Sequence, residues 1–245
     1  MQKAGTTALA SFLHQHPDIY VVDGKEAHAF DHPNISVHPN PSAFIQQHYN
    51  KRLKAFNNES IICDATPITL YHPAFLKACY RYNPDAKFIV ILRDPVERAI
   101  SHYQMSRREK DEHRCMLVAF ILESFRLRKV RKHKSWPFRS AFRTQSYLHR
   151  GLYRQQLDYL FQTIPRNQIN VMMQSDLKHN HQATLARIFK FLDLPNAAIE
   201  PRTVFVTEQN FSHWSDTLAK IYARLFYRLK RETPEQWQKL IMGGM

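Results

Sequence analysis

Three short segments of this chain carry residue types that could hold an anion and move a proton. The first is Lys3-Ala4-Gly5-Thr6-Thr7-Ala8, which runs straight into a stretch where Leu9, Phe12 and Leu13 repeat at helical spacing. A helix N-terminus presents unpaired N–H groups and the positive end of its dipole, so it suits phosphate or sulfate. Gly5 lets the backbone come close to an anion, Thr6 and Thr7 add hydroxyl donors, and Lys3 adds a mobile positive charge. An ordinary helix start with threonine caps fits this segment equally well when it is taken alone. The order is not that of a Walker A loop, where the lysine follows the second glycine; here Lys3 precedes Gly5.

The second segment is Arg93-Asp94-Pro95-Val96-Glu97-Arg98-Ala99-Ile100-Ser101, directly after the apolar run Phe88 to Leu92. Arg93 at a strand end offers a planar, permanently charged fork. Ser101 follows about two helical turns later, roughly 10 Å along the axis. The two could converge on one phosphate; a surface ion pair and a solvated helix residue are the plainer reading. The third segment is Lys25-Glu26-Ala27-His28-Ala29-Phe30-Asp31, where Glu26 is a candidate general base and His28 its neighbour. A surface carboxylate on a loop is the alternative. His28 and His32 have the spacing of a helical metal pair, but Pro33 and the absence of further clustered ligands argue against a metal.

In this order the three segments resemble the sulfotransferases that use 3'-phosphoadenosine-5'-phosphosulfate (PAPS), above all the heparan-sulfate and glycan type. Lys3-x-Gly5-Thr6-Thr7 is similar to the family's 5'-phosphosulfate loop, and Arg93 with Ser101 to its 3'-phosphate site. Glu26-x-His28 is similar to its Glu-x-His-Phe-Phe-Asp stretch, with Ala29 in place of the first aromatic residue. Cys63-Asp64-Ala65-Thr66-Pro67 stands where the family has Glu-Lys-(Ser/Thr)-Pro, with Ala65 in place of the lysine. Gly151 and Tyr153 match a Gly-x-Tyr before a helix, although Tyr153 also falls on an apolar stripe and reads as core.

The resemblance implies an enzyme that transfers a sulfuryl group from PAPS to a hydroxyl or amino group of a glycan or glycolipid acceptor, with no metal. Glu26, Lys3 and His28 would be catalytic. Lys3, Ala4, Gly5, Thr6, Thr7, Ala8, Arg93 and Ser101 would bind the donor. The alternative is a non-catalytic, basic relative that binds polyanions or membranes.

Elements must position these segments. Ile19 to Val22, Ile61 to Cys63, Lys87 to Leu92 and Gln168 to Met173 read as strands. Helical spacing recurs after Asp94, which with Pro95 and Glu97 forms a capping pattern. It recurs again from Tyr153 to Ile164 and from Leu185 to Leu192. Strands alternating with helices predict an α/β, P-loop-like three-layer fold with a central, mainly parallel sheet. The family has a strand immediately before its phosphosulfate loop, and only Met1 stands there. We therefore expect one sulfotransferase domain over 1–245 that lacks its first strand. The stripe Trp214, Leu218, Ile221, Tyr222, Leu225, Phe226 and Leu229 is assigned to core packing of a C-terminal helix; Lys220, Arg224, Arg228, Lys230 and Arg231 around it would also suit a membrane-surface helix.

Bulk properties agree. The chain has 245 residues, 44% of them apolar, and only 5 glycines, which excludes wholesale disorder and low-complexity linkers. A formal charge of +14 favours polyanionic partners: nucleotides, nucleic acid, acidic glycans or anionic membrane surfaces; with the resemblance above, no specific nucleic acid is expected. The basic stretch from Arg126 to Arg139 is either such a surface or a solvated helix and loop. Three cysteines, with neither metal nor redox spacing, read as reduced thiols. With no apolar run long enough to span a bilayer and no signal-like start, a cytoplasmic protein is expected.

Overall fold

The structure, a computed structural model, describes residues 1–35, 38–130, 136–201 and 214–242. Two compact units divide the chain. One holds Met1, Lys3–Arg93 and Thr163–Val206, the other Gln2, Asp94–Gln162 and Thr207–Met245.

In the first unit four strands fall where their β-branched, apolar sequences predict. Strand β1 (Ile19–Val21) pairs in parallel with β2 (Ile61–Cys63), with Ile19 opposite Ile61. Strand β3 (Phe88–Leu92) pairs in parallel with β4 (Ile169–Met173), with Phe88 opposite Ile169. The pairing is parallel as expected, but among the described residues the strands form two separate ladders rather than one continuous sheet. Val90, Ile91 and Leu92 are buried, which explains the unbroken apolar run of β3.

Helix α1 (Thr6–Leu13) packs on β1 and buries Leu9, Ala10, Phe12 and Leu13. The stretch after His32, with Pro33, Pro39 and Pro41, carries no long element until α2 (Pro41–Asn50); residues 36 and 37 lie outside the described part. Asn40 starts α2 by accepting a hydrogen bond from the Ala43 amide at 3.0 Å. Neither α2 nor α3 (Pro73–Tyr82) was predicted, because both mix aromatic, histidine and polar residues with little clean periodicity. A second core packs beneath residues 22–30: Val22, Ala27, Ala29, Phe30 and Ile45, with Tyr49, Cys79 and Tyr82 against them.

In the second unit α4 (Pro95–Arg108) begins as its sequence dictates. The Asp94 carboxylate accepts from the Glu97 amide at 2.8 Å, and Pro95 occupies the first turn. Helix α5 (Met116–Val130), the short α6 (Ala141–Thr144) and α7 (Tyr153–Thr163) follow. In the first unit α8 (Gln174–His179) and α9 (His181–Phe191) come next; in the second, α10 (Trp214–Leu229) and α11 (Pro234–Met242) close the chain. Helices α4, α5 and α10 enclose a core of Ala99, Ile100, Met116, Phe120, Tyr147 and Tyr227, among others. Tyr227 donates to the Leu148 carbonyl at 2.9 Å, and a Cβ on Gly151 would stand 2.3 Å from the Tyr227 hydroxyl, so only glycine fits there. Tyr153 is fully buried edge-on to Trp237, as its apolar stripe predicted.

Two expectations hold only in part in this unit. The C-terminal stripe is core only in part: Tyr222 and Phe226 pack against the core beside the buried Ala219, Ala223 and Tyr227, whereas Trp214, Leu218, Ile221, Leu225 and Leu229 are exposed. Small residues let α10 approach its neighbours closely, and the exposed large side chains fall on the other face. The basic stretch is partly structural. Arg126 donates to the buried Glu112 carboxylate at 2.6 Å and to Gln145 at 2.7 Å, and Trp136 stacks on Phe142. Residues 131–135 of that stretch lie outside the described part.

Candidate active site

The anion loop sits against the carboxyl ends of β3 and β4, the edge where ligands of open α/β sheets bind. The Met1 amino group donates to the Ile91 carbonyl at 3.2 Å, and the Ala4 amide turns back to the Met1 carbonyl. Gly5 is the N-cap of α1, with φ 101° in the left-handed region and no side chain to cap the helix. A Cβ there would meet the Gln174 side chain and Ile91 Cδ1, both at 3.3 Å. The glycine is therefore required twice over, by its torsion and by its close neighbours. Lys3 also adopts a left-handed φ, 62°, which stores strain in the loop. Ala4 is fully buried, whereas Lys3 and residues 5–8 are half-buried. The start of α1 is thus part-exposed, and its first amides have no side-chain cap.

Arg93 follows the last residue of β3, and its Nη1 donates to the Lys3 carbonyl at 3.4 Å. The predicted donor arginine and the predicted anion loop are thereby joined. Ser101 lies in the other unit, on the buried face of α4, at 2% exposure.

The second cluster lies at the carboxyl ends of β1 and β2. Glu26 and His28 are half-buried, while Ala27 and Ala29 between and beside them are completely buried in the second core. The backbone is sharply folded here: Gly24, Lys25 and His28 all have positive φ. His28 Nε2 lies 3.3 Å from the Glu26 carboxylate, and His28 Nδ1 lies 3.0 Å from Asp31 Oδ2. Lys25 Nζ pairs with the other Glu26 oxygen. The Asp31 side chain is fully buried, so its charge acts on His28 with little screening.

Burial opposes a charged His28, but the hydrogen bonds to Asp31 and Glu26 and their charges outweigh it and push the imidazole up to about 9. Burial likewise opposes a charged Glu26, and the His28 hydrogen bond with the charge and hydrogen bond of Lys25 outweighs it, holding Glu26 below the usual carboxylate range. At neutral pH the pair is therefore imidazolium and carboxylate, with Glu26 in the unprotonated form. Cys63 is pushed up to about 12 by burial and by the Asp64 charge, so it stays a neutral thiol.

Asp64 fixes the loop that carries Glu26. Its Oδ1 accepts from the Ala27 amide (3.2 Å), the Thr66 amide (3.0 Å) and the Thr66 hydroxyl (2.6 Å), and its Oδ2 from Tyr49 (2.8 Å). The Thr66 hydroxyl in turn accepts from the His28 amide at 3.2 Å, and the Ala65 amide donates to the Lys25 carbonyl at 3.0 Å. On the other side His48 Nε2 donates to the Ala27 carbonyl at 2.7 Å. Ala65 thus contributes its backbone at the position where a lysine was expected. The sequence reading assigned no role to Asp31, Asp64 or His48. Asp31 was signalled only by standing three residues after His28; the other two act from distant positions in the chain. Among the described residues no group of three or more histidine, cysteine, aspartate or glutamate side chains could hold a metal.

The family described as "Sulfotransferase domain" matches residues 1–241, running through both units. The chain is 24% identical to "Membrane-associated sulfotransferase kil1" of Dictyostelium discoideum, over 82% of this chain and 57% of that protein. It is 26% identical to "Heparan sulfate glucosamine 3-O-sulfotransferase 6" of Homo sapiens, over 86% of this chain and 55% of that protein. It is 29% identical to "Heparan sulfate glucosamine 3-O-sulfotransferase 3B1" of Mus musculus, over 86% and 49%. The chain thus spans about half the length of the curated relatives it matches. In fold it resembles a sulfotransferase from Alicyclobacillus acidocaldarius, with a TM-score of 0.67, 22% identity, and coverage of 96% of this chain and 95% of that one.

Proposed function

The chain belongs to the sulfotransferase domain family, and from that premise we propose that it transfers a sulfuryl group from PAPS to a hydroxyl or amino group of a glycan. The observation that carries this reading is the Glu26–His28–Asp31 relay, held by Asp64 in the same unit as the glycine-capped anion loop. The heparan-sulfate relatives support a glycan as acceptor.

PAPS supplies the activated sulfuryl group and leaves as adenosine 3',5'-bisphosphate. Lys3 and the amides of Gly5 to Ala8 bind the 5'-phosphosulfate and stabilise the charge that grows on the leaving phosphate. Arg93 binds the donor at the end of β3 and holds the Lys3 carbonyl, which keeps the loop in place. Ser101 carries over from the family resemblance as a further donor-binding hydroxyl. Glu26 takes the proton from the acceptor as its oxygen or nitrogen attacks sulfur and the sulfur–oxygen bond to the phosphate breaks. His28, charged and anchored by Asp31, orients the Glu26 carboxylate. A cytoplasmic location remains part of this proposal and rests on the three free cysteines.

Calorimetry of adenosine 3',5'-bisphosphate, with AMP as control and Arg93→Ala beside the wild type, tests the reading. Tight binding that needs both the 3'-phosphate and Arg93 is expected. Binding of polyanions without preference for that nucleotide would replace this reading with a non-catalytic one.

A further inference from the structure

We propose that the outward faces of α10 and α5 dock this chain on an anionic lipid surface. The core side of α10 is already satisfied by Ala219, Ala223 and Tyr227. Its five large apolar residues, Trp214, Leu218, Ile221, Leu225 and Leu229, are exposed instead, Trp214 at 70% and Leu229 at 83%. On a helical projection they fall within an arc of about 80°. Their positions span about 22 Å of helix at 1.5 Å per residue. A lone exposed leucine needs no explanation, but a continuous apolar row of this length marks an interaction surface. Helix α5 packs against α10 and exposes an apolar row of its own, Val118, Ile121 and Phe125, the last at 60%.

Charge decides between occupants. Exposed Arg224 and Arg228 adjoin the apolar arc of α10, exposed Lys230 and Arg231 follow its last turn, and exposed Arg128 follows the apolar row of α5. The one acidic residue on α10, Asp216, lies on the half-buried side. A second copy of the chain would bring the same basic rows together, with +14 on each copy. A polysaccharide would pair with the arginines and leave the leucines in water. An anionic bilayer satisfies both: the apolar row enters the acyl boundary, and the arginines reach the headgroups. Trp214 at the start of the row is the residue type that favours that boundary.

Vesicle co-sedimentation of the full chain tests this. Phosphatidylcholine vesicles containing about a third phosphatidylserine should pellet the wild type at least tenfold more than phosphatidylcholine alone. Fluorescence of the exposed Trp214 should shift to the blue, because Trp136 and Trp237 are already buried. Ile221→Glu with Leu225→Glu should abolish pelleting, and Arg224→Glu with Arg228→Glu should weaken it about tenfold. Binding of adenosine 3',5'-bisphosphate by the double variants, measured alongside, separates this result from the fate of the transferase reading. If the apolar double variant melts early, Leu229→Glu at the helix end serves in its place. The proposal is overturned if the wild type stays in the supernatant, or if a folded apolar variant pellets equally well. It is also overturned if sedimentation equilibrium shows a dimer that the apolar variant dissociates.

Discussion

His28 Nδ1 lies 3.0 Å from the carboxylate of Asp31, a side chain with no exposure to solvent, while Nε2 of the same ring faces Glu26 at 3.3 Å. One imidazole therefore links two carboxylates, one sealed inside and one half-open. The sealed charge keeps the ring protonated, and the protonated ring keeps Glu26 ionised and aimed.

Removing the sealed charge should release the ring. In Asp31→Asn, His28 should titrate about 1–3 units below its wild-type value of about 9, read from its imidazole resonances by NMR. The sign for stability follows. A histidine raised from 6.5 to about 9 contributes stability that is complete below 6.5 and is lost as pH rises through about 9. Wild-type thermal stability should decline across that window, and the decline should be weaker in Asp31→Asn. Equal titration of His28 in both proteins would remove Asp31 from this role.

Glu26→Gln keeps the shape of the side chain and its contact with His28 but cannot take a proton. Sulfuryl transfer from PAPS to a glycan acceptor should fall by roughly 10²–10⁴-fold. The affinity for adenosine 3',5'-bisphosphate should stay within a factor of about two, because the anion loop is anchored on β3 and β4 rather than on the Glu26 loop. Unchanged turnover would show that another group is the base.

Gly5→Ala tests the anion loop. The substitution meets a φ of 101° and two neighbours at 3.3 Å, so it should cost about 1–2 kcal/mol from the torsion alone. Calorimetry should show at least tenfold weaker nucleotide binding, because relief of the strain turns the first amides of α1 away from the anion. Nucleotide affinity equal to that of the wild type would place the anion elsewhere.

The legibility of this chain follows from how local each signal is. Strand β3 and the start of α4 were readable because an apolar run, Asp94 and Pro95 act within a few residues. The anion loop and Glu26-x-His28 were readable as motifs for the same reason. Asp64 was not, since it acts on Ala27 from 37 positions away, and nothing in a single sequence marks such a pair. Strand pairing was foreseen as parallel, but division into two ladders is a matter of tertiary neighbours. The α10 stripe was only partly right, because periodicity reports an apolar face without saying which face the core takes. Ala219 and Ala223, small enough for close helix contact, were the clue.

Asp64→Ala should loosen the Glu26 loop without touching the anion loop. It leaves the Ala27 and Thr66 amides and the Tyr49 hydroxyl without their acceptor, a loss of about 1–3 kcal/mol by urea denaturation. Turnover should fall with Glu26 misplaced, while nucleotide binding persists. A variant as stable and active as the wild type would mean that Thr66 and His48 hold the loop alone.

Glu123 is the matching anchor of the second unit. Its fully buried carboxylate accepts from the Leu148 amide at 2.6 Å, the His149 amide at 2.8 Å and His149 Nδ1 at 2.9 Å. These bonds tie α5 to the turn that precedes Gly151, where Tyr227 of α10 also docks on the Leu148 carbonyl. Helices α5 and α10 thus meet at this turn through one acidic side chain and one tyrosine. Glu123→Ala should strip two buried amides of their acceptor and cost about 3–5 kcal/mol, seen as a lower urea midpoint. Glu123→Gln, which retains one acceptor oxygen, should cost less than half as much. Tyr227→Phe removes a single neutral hydrogen bond and should cost only about 1 kcal/mol. If the two glutamate variants lost equal stability, the charge rather than the acceptor geometry would be what holds α5 to this turn.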